Sequence, residues 1–152
     1  MSDPFVLTPE QLVAVEVTLA YHSPKTGADR QELVVGGAVE GRKDGVLVRL
    51  RRTASREAPL DERQGVAPRD AFERLLALFA EDGFLALDPE YPAPPPPRGK
   101  RSMQLVLPDH DHRVFVAYPT PCAEFERLAG ATKLVAALAL PEALGHAFFV
   151  NL

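Results

Sequence analysis

Apolar and polar positions begin to alternate at Val13. Val13, Val15, Val17, Leu19 and Tyr21 are separated by Ala14, Glu16, Thr18 and Ala20. A period of two over β-branched residues predicts a half-buried strand. Ser23-Pro24-Lys25-Thr26-Gly27 carries the turn residues that end it. A second strand is expected over Gln31–Glu40, where Gly36-Gly37 marks a bulge or a close backbone approach. Gly41-Arg42-Lys43-Asp44-Gly45 reads as a hairpin loop, with Asp44-Gly45 suited to positive φ. The third strand, Val46–Arg52, sets Val46, Val48 and Leu50 on one face and Leu47, Arg49 and Arg51 on the other. Three strands joined by short turns predict an antiparallel meander.

Phe72, Leu75, Leu76 and Phe79 recur at i, i+3, i+4 and i+7, the stripe of an amphipathic helix. Pro68 stands where a first helical position tolerates proline, and Gly83 supplies the stop. Phe79 and Phe84 then hold the positions whose side chains meet in a Schellman cap. A fourth strand is expected over Arg101–Leu107, a turn at Pro108-Asp109-His110-Asp111, and a hairpin partner over Arg113–Tyr118. The last helix is expected over Pro121–Leu140, with Phe125, Leu128, Val135 and Leu138 near one face. Gly130 weakens it locally and Pro141 ends it. His146–Leu152, which contains Phe148-Phe149-Val150, reads equally as an edge strand or as a segment packed on the core.

Three stretches lack periodicity. Residues 1–10 read as a loose lead-in because Pro4 and Pro9 oppose regular structure, and 53–65 reads as a polar loop or mobile arm. Pro92-Ala93-Pro94-Pro95-Pro96-Pro97 reads as a stiff polyproline connector within 92–100. The order βββ-α-ββ-α predicts an α+β fold: a two-layer sandwich in which two helices cover one face of an antiparallel sheet.

The 152 residues fit a single domain. One cysteine, Cys122, rules out an intramolecular disulfide and fits a reducing compartment. Met1-Ser2-Asp3-Pro4-Phe5 lacks a basic region followed by an apolar stretch, so no secretory signal is expected, and no apolar run approaches the roughly 18 residues of a membrane span. Together with Arg, Ala, Leu and Pro usage, this reads as a cytoplasmic bacterial protein. The net charge of −4, from 17 Lys+Arg against 21 Asp+Glu, argues against a nucleic acid partner.

The stretch FERLLALFAEDGFLALDPEY, Phe72–Tyr91, is followed by a hairpin and a proline-started helix. It resembles a small bacterial domain of unknown function in which a helix, a GFxxL step and a tyrosine precede a two-stranded hairpin. The resemblance covers Val13–Leu140 in element order and Phe72–Tyr91 in residues. It implies a fold and no activity.

Four features offer chemistry. Asp109-His110-Asp111-His112 carries metal-ligand types, and a small metal-dependent enzyme or metal-binding protein using His110 and His112 is one alternative. The preferred reading is a solvated turn whose side chains diverge. His22 and His146 would join the cluster only through the fold. Cys122 opens a helix, where a thiolate is stabilised, yet no base accompanies it and a buried thiol is preferred. Arg49, Arg51, Arg52 and Arg56 form one basic stretch, and Arg98, Lys100 and Arg101 another. If the third and fourth strands are neighbours, these merge into a patch for phosphate, nucleic acid or an acidic protein. The preferred reading is a solvated strand face. The proline run lacks the Pro-x-x-Pro-x-Arg form of a recognition ligand and reads as a spacer. There is no Gly-x-Gly-x-x-Gly, Gly-Lys-Ser/Thr, Gly-x-Ser-x-Gly, His-Glu-x-x-His or Cys-x-x-Cys.

The expectation is therefore a non-enzymatic protein-interaction or regulatory domain of a bacterial assembly, with no cofactor. It works through a protein partner or self-association, with Arg49, Arg51, Arg98, Lys100 and Arg101 as the surface to test.

Overall fold

The computed structural model describes residues 5–23, 28–39, 42–55, 61–95, 98–117 and 120–141. The elements are α1 (Pro9–Leu12), β1 (Glu16–His22), β2 (Ala28–Val39), β3 (Arg42–Ser55), β4 (Asp61–Pro68), α2 (Arg69–Glu81), β5 (Glu90–Tyr91), β6 (Lys100–Val106), β7 (Asp111–Ala117) and α3 (Ala123–Ala139), with a 3-10 turn at Phe84–Ala86. The α+β class holds, but among the described residues the sheet has seven strands, in the order β4-β3-β2-β1-β6-β7-β5. It is mixed, because β5 runs parallel to β7 while every other pair is antiparallel.

Several local readings give way to tertiary context. The lead-in contains α1, whose first helical residue is Pro9. The Thr8 hydroxyl accepts from the Gln11 amide at 3.2 Å, and the Gln11 side chain accepts from the Thr8 amide at 3.0 Å. That reciprocal pair offsets the cost of starting so short a helix. β1 begins at Glu16 rather than Val13, which is exposed. The stretch read as a loop over 53–65 ends β3 and begins β4. β3 starts at Arg42, so Asp44 and Gly45 belong to a strand and not to a hairpin loop. Pro68 is the N-cap of α2, one residue outside the expected position. The turn at 24–27, Arg56 and the tail at 146–152 lie outside the described residues.

Other readings hold because they rest on backbone chemistry. The β2–β3 register shifts between Val35 and Ala38, at the glycine pair. Gly36 has φ 138° and lies so close to β1 that an added Cβ would sit 2.2 Å from the Val15 carbonyl oxygen. Gly83 takes the left-handed conformation, φ 66°, and ends α2, with its amide bonded to the Ala80 carbonyl. The chain turns there so that Phe84 meets Phe79 edge-on, ring centroids 5.0 Å apart.

The core lies between the sheet and the two long helices. Leu19, Leu33, Leu50, Met103 and Leu105 point inward from the strands. Phe72, Leu75 and Phe79 of α2, Phe84, and Phe125 and Leu128 of α3 are fully buried against them. Leu138 does not join this face. The buried stripe of α3 runs through Phe125, Leu128, Ala129, Thr132, Val135 and Ala136. Leu138 sits about 140° round the helix from Phe125 and is 58% exposed. Among the described residues, no helix is long and apolar enough to cross a membrane.

Candidate functional site

Because α2 and α3 cover one face of the sheet, the side chains of opposite parity form the other. No helix among the described residues packs on it. One register line crosses all seven strands: Glu62, Arg51, Glu32, Ala20, Ser102, Phe115 and Glu90. The next line holds Gln64, Arg49, Val34, Thr18, Gln104 and Arg113, and a third holds Thr53, Arg30, His22 and Lys100. Residues that stand opposite one another on a sheet interact directly. This surface is therefore an ordered array of polar side chains. Ala20, Val34 and Ser102 are its short members and form the buried floor of a shallow depression of about 250 Å³.

Charge divides the face in two. Across β1–β4 three arginines of this face each have a carboxylate: Arg30–Glu32 at 3.4 Å, Arg49–Glu16 at 3.0 Å and Arg51–Glu62 at 3.3 Å. Glu62 is drawn below the usual carboxylate range, first by a hydrogen bond from Gln64 and then by Arg51. Across β6 and β7 the pattern changes. Lys100 and Arg113 have no carboxylate within ion-pair distance among the described residues. They flank the ring of Phe115 instead, at 4.7 Å and 5.9 Å from its centroid. Arg113 also donates to Gln104 at 2.7 Å, and Gln104 donates to Asp111 at 2.8 Å.

His22 lies between these halves. Its Nε2 is 3.2 Å from the Ser102 hydroxyl, and its ring is 6.2 Å from that of Phe115. Burial, then Arg30, Lys100 and Arg113, hold its pKa below the ordinary imidazole value, and only Glu32 opposes them. The unfolded state therefore takes up the proton first as pH falls. His22 contributes its full share of stability above about pH 6.5, and that share is lost as pH drops toward the folded pKa. His22→Gln protein should lose this part of the pH slope. Urea denaturation of both proteins from neutral pH downward reads it, and parallel slopes would contradict it.

The sequence-predicted basic residues separate. Arg49, Arg51 and Lys100 lie on the open face, and Arg98 is exposed in the approach to β6. Arg101 does not belong to the patch. It shares parity with Met103 and Leu105, is buried on the helix side, pairs with Glu126 of α3 and lies over the Phe125 ring at 5.0 Å. Arg52 also points to the helix side of β3. β3 and β6 are not neighbours, since β2 and β1 stand between them, about 14 Å in all at the usual strand spacing. Arg30 on β2 and His22, offered by the sequence only as a metal ligand, stand in that gap, and Arg113 and Phe115 on β7 extend the face beyond β6. Parity could have found Phe115, because Val114 and Val116 are buried on either side of it.

The histidines diverge. His112 lies on the helix side of β7, 2.9 Å from the Leu87 carbonyl, to which it donates, and edge-on to Phe84. His110 is exposed in the turn, and His22 is on the opposite face of the sheet. His146 lies outside the described residues. No group of three His, Cys, Asp or Glu among the described residues is placed to hold a metal ion. Cys122 is buried at the N-cap of α3 with its thiol 3.8 Å from the Glu124 carboxylate.

Fold and surface together define an α+β domain that presents one face of a seven-stranded sheet. No protein-family model matches the chain, and no curated protein matches it. The resemblance carried by Phe72–Tyr91 rests on core and cap residues, and so bears on packing rather than on activity.

Proposed function

We propose that this domain binds another protein through the open face of its sheet, as a non-enzymatic subunit or regulator of a cytoplasmic bacterial assembly. The observation that carries this reading is the array itself. Seven strands hold charged, hydroxyl, amide and aromatic side chains in fixed register on one surface. A preorganised surface loses little side-chain entropy on association. Complementary charge on a partner then sets orientation and specificity.

The alternation of sign across β1–β4 also favours a protein partner. Glu16, Glu32 and Glu62 stand between the arginines and repel a continuous phosphate chain, whereas protein surfaces carry both signs. Metal chemistry through His110 and His112 gains no support from their divergence.

The test compares capture from native extract by three forms. Arg49→Ser/Arg51→Ser alters the open face, and each lost pair, half-exposed to solvent, costs about 1 kcal/mol, so the fold persists. Leu134→Lys alters the outer surface of α3. Wild-type and Leu134→Lys proteins should retain the same partner, and the arginine variant should lose it. Capture unaffected by the arginine changes would contradict the reading. So would loss caused by Leu134→Lys alone, or light scattering that shows self-association through α3 with no other partner.

A further inference from the structure

Given the open-face reading above, on which this rests, we infer that the β6–β7 half of the face seats a carboxylate from an acidic segment of the partner protein. The geometry supplies the donors. Lys100 and Arg113 rise on either side of Phe115, and the His22–Ser102 pair stands on the adjoining strands.

On the β1–β4 half Arg30, Arg49 and Arg51 already have their carboxylates, so an incoming anion would have to displace one. Lys100 and Arg113 have no such occupant among the described residues. Both lie by the Phe115 ring; Arg113 gives one Nη2 proton to Gln104, and its other guanidinium N–H groups and the Lys100 ammonium remain to meet an anion. Glu90 and Asp111 border the cluster, on β5 and β7, but Asp111 is engaged by Gln104. At His22 the field is positive, from Arg30, Lys100 and Arg113 against Glu32 alone. A bound carboxylate would offset that field and raise the affinity of His22 for its proton.

A charge-assisted contact is among the stronger single interactions a surface makes. The short span of the cluster suits one or two carboxylates rather than a long polyanion. The glutamates of the neighbouring half, mixed in sign, argue against a nucleic acid strand running across the sheet.

The probe is an oligoglutamate peptide at low salt, with oligothymidylate of equal charge as the comparison. Wild-type protein should bind the peptide, with the His22 ring resonances moving and its titration shifting to higher pH. Lys100→Gln/Arg113→Gln should weaken binding about tenfold or more, since charged hydrogen bonds are lost. Arg74→Gln removes an exposed charge on the helix side and should change nothing. Both altered side chains of the double variant are exposed, and circular dichroism checks that it folds. Lys100→Gln alone should give an intermediate loss.

Three results would overturn the inference: no peptide binding, equal binding by the double variant, or tighter binding of oligothymidylate at the same residues. Any of them, with partner capture still dependent on Arg49 and Arg51, would leave the open-face reading standing and remove only the carboxylate seat.

Discussion

Gly36→Val protein is expected to fail to fold, and to be recovered aggregated or proteolysed. Gly36 holds φ 138° directly opposite Glu16 in the β1–β2 ladder. A Cβ there would lie 2.2 Å from the Val15 oxygen and 2.9 Å from the Glu16 Cα, backbone atoms where the chain enters the central strand. Neither can rotate away, so relief requires β1 and β2 to separate. Positive φ alone costs about 1–3 kcal/mol, and more for a β-branched residue. Losing strand pairing at the centre of the sheet adds to that. The sum approaches the roughly 5–15 kcal/mol by which a domain is stable. Gly37 is the control. Its φ is 100°, yet nothing lies within 4 Å of an added Cβ, so Gly37→Ala should cost only the backbone term and remain folded. Urea denaturation reads both, and a Gly36→Val protein as stable as Gly37→Ala would show that the close approach is not there.

Phe79→Ala should lower the unfolding free energy by about 3–5 kcal/mol, the usual range for removing a buried aromatic ring. Phe79 is fully buried and meets Phe84, which the left-handed Gly83 turns back onto it. The substitution removes the ring contact and leaves a void beneath the cap of α2. Leu78, its neighbour in sequence, is 40% exposed. Leu78→Ala should cost about 1 kcal/mol or less, since surface changes away from special features are small. Equal losses at the two positions would mean that α2 does not face the sheet as described.

Local chemistry made part of this fold legible. The helical stripe Phe72-Leu75-Leu76-Phe79, the glycine stop and the glycine-pair bulge each depend on residues close in sequence. β4 was hidden for a physical reason. Its inward positions are Arg63, Gly65 and Ala67, because the end of α3 comes down onto this edge. A Cβ on Gly65 would sit 2.7 Å from the Ala139 oxygen. A strand that must be thin on its buried side carries no run of large apolar residues to announce it. The pairing of β1 with β6 was hidden too, since it joins segments about 80 residues apart and nothing in either one specifies the other. The open face was half visible. Parity within Val46–Arg52 placed Arg49 and Arg51 outward, and the same count applied to Arg101–Leu107 would have moved Arg101 to the core beside Met103.

The open sheet face is proposed here as the surface that meets a partner. Capture from native extract by the wild-type, Arg49→Ser/Arg51→Ser and Leu134→Lys proteins tests this most directly. One specific protein should be held by the first and third and lost from the second. Retention of that protein by all three would take the working surface off the open face, and its loss only when Leu134 is changed would put that surface on α3.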